Sequence, residues 1–82
     1  MAIFIGIHRI EEAVEDSVLE ESWGKYKEIA AKRGLKPLRV TYNGAEKIAI
    51  CETEANSREE VADAHAELGM QPAEIIEVKT SE

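Results

Sequence analysis

A single cysteine, Cys51, is all the thiol this chain has, so no disulfide can close within it and a reducing compartment suits it. Long apolar runs are missing too. None approaches the ~20 residues that a membrane span needs, so no transmembrane helix is expected. Basic residues are in the minority, ten against seventeen acidic, and the net charge of −7 repels phosphate backbones and anionic lipid surfaces. Neither nucleic acid nor a membrane is an expected partner. The sequence also has no glycine-rich loop followed by Lys-Ser or Lys-Thr, no HExxH and no serine in a nucleophile elbow. Its amino terminus, MAIFIGIHRI, has no basic leader and reaches His8 and Arg9 after a handful of apolar residues. It reads as a strand and not as a signal peptide, and a cytoplasmic location is the expectation.

What is present suits one small domain over residues 1–82. A chain of 82 residues buries only roughly 60% of its unfolded surface, so the core is thin and association is a natural supplement. Residues 2 to 8, AIFIGIH, are apolar on both parities, as in a central strand covered on both faces. From Ser17, SVLE reads as a capping box with Glu20, opening a helix that runs to about Arg33 and stops at Gly34. Val18, Leu19, Ser22, Tyr26, Ile29 and Ala30 make its inward stripe, with Trp23 on the flank.

Residues 36 to 53 form two strands around Asn43-Gly44, a dipeptide that tolerates positive φ at both central positions of a hairpin turn. With a two-residue loop Tyr42 pairs with Ala45. Leu38, Val40, Ala49 and Cys51 then share one face, and Arg39, Thr41, Ile48, Ile50 and Glu52 the other. Ser57 with Glu60 makes a second capping box, its helix ends near Leu68 before Gly69, Pro72 prevents its return, and residues 73 to 79 make a last strand. The order β-α-β-β-α-β with right-handed crossovers gives an α+β ferredoxin-like fold. Its four-stranded antiparallel sheet has strand order 4-1-3-2 and both helices on one face.

That fold brings Cys51 and His65 to similar depth. His65 lies ~12 Å along the second helix from its start at ~1.5 Å per residue, and Cys51 lies ~10 Å from the end of its strand at ~3.3 Å per residue. His65 shares the helical face of Val61 and Leu68, which points it at the sheet. His8, at the far end of the first strand, is placed ~15 Å from Cys51 within one chain, so it joins the site only from a second subunit. A thiolate and an imidazole suit nickel, copper, zinc or cobalt, and Glu52 and Glu54 add oxygen ligands or favour cation entry. The competing reading makes Cys51 a small buried apolar residue and His65 a satisfied core histidine.

The tract KIAIC, the helix ending VADAH and the following GMQPAEIIEV resemble the carboxyl half of a family of small ferredoxin-like domains of unknown function. Some members of that family are nickel-binding proteins. In it a strand cysteine is followed by a helix histidine at nearly this spacing, then a glycine, a proline and a last strand. The first half of the chain is similar in pattern. What the resemblance implies is nickel as the metal.

The expectation is a cytoplasmic, non-enzymatic homo-oligomer, a dimer, that binds a late first-row transition metal through Cys51 and His65, with Glu52, Glu54 and His8 as further ligands. The alternative is a non-catalytic interaction module whose open sheet face, with Ile48 and Ile50, is too apolar to stay wet. A third reading is a pocket enclosed by such a dimer, as in small cofactor-free enzymes of dimeric α/β-barrel type. A Cys-His nucleophile without an evident oxyanion donor or orienting group speaks against catalysis.

Overall fold

The computed structural model describes residues Met1–Glu82. Its elements are β1 (Ala2–Arg9), α1 (Asp16–Lys32), β2 (Lys36–Asn43), β3 (Ile48–Ala55), α2 (Arg58–Leu68) and β4 (Glu74–Val78). All strand pairs are antiparallel, in the order β2-β3-β1-β4, as the β-α-β-β-α-β pattern requires. No helix is long and apolar enough to cross a membrane.

Alternation along β3 sorts its residues between two environments: Ala49, Cys51, Thr53 and Ala55 are buried under the helices, whereas Ile48, Ile50, Glu52 and Glu54 face the open side. The helices cover the first set. Leu19, Tyr26 and Ala30 of α1 and Val61, Ala64 and His65 of α2 are the buried helical residues. Val18 is 49% exposed and drops out of the expected stripe, because the angular spacing places it on the shoulder of the helix. Tyr26 Oη and Thr53 Oγ1 are 2.6 Å apart in the core, a hydrogen bond that ties α1 to β3.

Ser57 caps α2 as expected: its hydroxyl accepts from the Glu60 backbone N–H while the Glu60 carboxylate accepts from that of Ser57. The matching box on α1 does not form. Glu15 occupies the N-cap without a side-chain bond. The acidic groups of that turn have long-range partners instead, Asp16 accepting from the Gly44 N–H at 2.8 Å and Glu20 accepting from the Tyr42 hydroxyl. Tertiary contacts outcompete a local cap here.

The hairpin is also rearranged. Its loop is four residues, with Asn43 opposite Ile48, Tyr42 opposite Ala49 and Val40 opposite Cys51, and a bulge lies between Pro37 and Arg39. Lys47, at φ 62°, takes the left-handed position. Gly44 is needed for a different reason: its N–H meets Asp16, its carbonyl accepts from Val14 and Lys47, and a Cβ there would overlap the Val14 carbonyl oxygen. Because the loop lengthens by an even number of residues, Val40, Ala49 and Cys51 keep the shared face expected of them.

Candidate metal centre

Three side chains meet under α2, one each from β1, β3 and α2. Cys51 occupies the middle of β3 on the helix side. His65 descends onto it from α2, and Cys51 Sγ to His65 Nε2 is 3.3 Å. His8 completes the group from the same chain, its Nε2 4.0 Å from Cys51 Sγ. The three donor atoms all lie within 4.8 Å of one another.

His8 thus stands far closer than the ~15 Å expected. Register explains the difference: His8 pairs with Ala49, only two positions before Cys51, and residues two apart on a strand share a face. Counting from strand ends overestimated a separation that the ladder sets directly. No second subunit is required to bring His8 in.

Glu52 and Glu54 do not join the group. As neighbours of Cys51 and Thr53 in a strand with period two, they lie on the opposite face of the sheet, where the Glu52 carboxylate is 2.8 Å from Arg39 Nε. Their expected role as oxygen ligands of this site is corrected by that parity.

The surroundings fix the two imidazoles. His65 Nδ1 is 2.8 Å from the Val61 carbonyl oxygen, which can only accept, so Nδ1 carries the proton and Nε2 presents its lone pair to Cys51. Its ring lies 4.4 Å from that of Tyr26 and 5.1 Å from that of His8, centroid to centroid. Burial lowers the pKa of His65, outweighing the opposing pull of the Val61 carbonyl. Burial, with the neighbouring His65 second, pushes His8 down to about 4. Burial pushes the Cys51 thiol up to about 11, against the backbone N–H groups of Gly6 and Cys51 that favour the thiolate. At neutral pH the group is therefore two neutral imidazoles and a thiol.

Such a donor set fits a first-row transition metal. Donors around a four-coordinate ion with bond lengths of about 2.0 to 2.3 Å stand roughly 3.3 to 3.7 Å apart; the Cys51–His65 pair, at 3.3 Å, lies at the lower edge of that range and the Cys51–His8 pair, at 4.0 Å, just beyond its upper one. Gly6 makes room for it. A Cβ at Gly6 would lie 2.9 Å from Cys51 Sγ and 3.6 Å from His65 Nε2. Sequence reasoning passed over Gly6, although an isolated glycine in a β-branched strand signals a close approach of this kind. It also passed over the cavity of about 50 Å³ beside the three residues, which is walled mainly by apolar side chains, Leu19, Trp23 and Leu68 among them, and by Met70.

Comparison with known proteins agrees with this architecture. The model of the family described as nickel responsive protein SCO4226-like matches residues 4–78. The solved structure of SCO4226 from Streptomyces coelicolor A3(2) superposes with a TM-score of 0.88 at 22% identity, covering 99% of this chain and 100% of that one. No curated protein matches the chain. The chain belongs to the SCO4226-like nickel responsive protein family.

Proposed function

We propose that this protein binds a late first-row transition metal, nickel in its family role, through His8, Cys51 and His65 of one chain. The observation that carries the reading is the convergence of three donor atoms within 4.8 Å, on three different elements, with the His65 tautomer set by Val61. The family description, nickel responsive, supports the choice of metal. In this role the chain's residues hold and desolvate the ion. Binding displaces the Cys51 proton, and the apolar wall keeps competing water away.

The same reading makes the protein a cytoplasmic dimer that pairs through the open face of its sheet. Ile5 lies between Glu52 and Ile76 in the ladder, and Ile7 between Ile50 and Glu74. With Ile48 these side chains give an aliphatic surface that a second copy would cover, Ile76 being 39% exposed in the single chain. Native mass spectrometry during nickel titration tests both parts. One nickel per chain and two chains per particle are expected, and Ile50→Glu should dissociate the dimer while the nickel per chain is retained. A particle that binds no nickel, or a wild-type monomer at ~100 µM, contradicts the corresponding part.

A further inference from the structure

We infer that Met70 supplies a thioether to the metal site and that the resulting His-His-Cys-Met set selects copper(I). This rests on the reading of His8, Cys51 and His65 as a metal site. Met70 lines the same cavity of about 50 Å³ as those three residues.

Its placement is built into the chain. Met70 follows Gly69, where α2 ends in a left-handed turn, and its backbone N–H donates to the carbonyl of His65 itself at 3.1 Å. The segment then crosses the site: Pro72 Cβ is 3.6 Å from where a Cβ on Gly6 would stand, and the Ala73 N–H donates to the Ile7 carbonyl at 2.7 Å. One hydrogen-bonded turn therefore couples the position of Met70 to that of His65.

The donor chemistry then narrows the metal. No carboxylate lies among the residues that line the cavity, since Glu52 and Glu54 are on the other face of the sheet. Ile10, Leu19, Trp23 and Val40 supply an apolar wall, and the neutral Ser22 hydroxyl is the one side-chain oxygen among the lining residues. A hard or strongly hydrated ion gains little in such a place. Thiolate and thioether are soft donors that select copper(I), and two imidazoles with a thiolate and a weakly held methionine form a set that copper accepts in either of its common oxidation states. Copper exceeds nickel at most nitrogen and sulfur sites, so the informative quantity is the share of that preference owed to Met70.

The test uses the full chain and Met70→Leu, a substitution of similar volume, with copper(I) affinity measured anaerobically by competition with a chromophoric chelator and nickel(II) affinity by direct titration. The ratio of copper(I) to nickel(II) affinity should fall at least tenfold in Met70→Leu. X-ray absorption at the copper edge should find two sulfur neighbours in the wild type and one in the variant, a readout that a change in packing alone would not reproduce. An unchanged ratio, or a single sulfur in the wild type, overturns the thioether assignment and leaves the three-residue site standing. Wild-type protein that binds nickel but not copper(I) overturns it as well. Protein that binds neither metal overturns the three-residue site together with it.

Discussion

Gly6 pairs with Cys51 across the β1–β3 ladder, and a Cβ on Gly6 would come within 2.9 Å of the Cys51 sulfur. A glycine inside a strand costs roughly 0.5 to 1 kcal/mol relative to alanine, so its place in the central strand calls for a reason. The reason is space for the Cys51 sulfur and, 3.6 Å from the same point, the His65 ring nitrogen.

Gly6→Ala should therefore leave the fold intact and weaken nickel binding by tenfold or more, about 1.4 kcal/mol, as Cys51 Sγ is driven from its position. Titration calorimetry alongside circular dichroism separates the two effects. Wild-type affinity in a folded Gly6→Ala protein would remove Gly6 from this role.

Protonation gives metal-free and metal-bound protein different pH profiles across neutrality. His8 titrates near 6.5 when unfolded but at about 4 in the fold, so stability present above 6.5 is lost as pH falls through that interval. Cys51 has its folded pKa raised from 9.0 to about 11, so the stability it contributes below 9 is lost as pH rises toward 11. The melting temperature of metal-free protein should accordingly form a plateau between these limits, with an acid limb that flattens in His8→Gln. Nickel must displace the Cys51 proton, so its apparent affinity should rise about tenfold per pH unit across neutrality, with release of one proton per metal. Binding that neither releases protons nor depends on pH would show that the thiol is not a ligand.

Loop geometry makes a prediction independent of metal. Gly44→Ala should cost roughly 2 to 4 kcal/mol, because the new Cβ collides with the Val14 carbonyl that the same residue's own carbonyl helps to position. Lys47→Gly should stabilise by roughly 0.5 to 1 kcal/mol, since the left-handed backbone at φ 62° strains any side chain. Urea denaturation of both variants checks this. Effects under about 0.5 kcal/mol in both would contradict the four-residue loop.

Much of this structure was legible in the sequence where local signals and long-range packing agree. Ser57 and Glu60 form their capping box because no distant group draws either away, Glu60 accepting only from the adjacent N–H groups of Asn56 and Ser57, and Cys51 meets His65 because strand and helix periods fix both faces. Local signals and structure part where distant groups compete. Glu20 and Asp16 bond to Tyr42 and Gly44, at the start of a hairpin loop that runs to four residues where Asn43-Gly44 alone suggests two. Parity already held the answer for Glu52 and Glu54, since neighbours on a strand cannot both face the site of Cys51. His8 required the register between β1 and β3, which depends on the pairing of two segments forty residues apart and on no motif in either. Met70 required the return of the chain after Gly69, which brings an otherwise featureless residue back to the histidine that precedes it.

A three-ligand metal site completed within one chain sets the nickel-dependent part of the melting transition, to be compared between wild type, Cys51→Ser, His65→Ala and His8→Ala. A ligand held only by the folded state at a hundred times its Kd adds about 2.7 kcal/mol. The wild type should gain that stabilisation with excess nickel, and each variant should lose most of it at the same nickel concentration, His8→Ala included. Identical melting of the wild type with and without nickel would contradict the account and leave Cys51 and His65 as ordinary core residues.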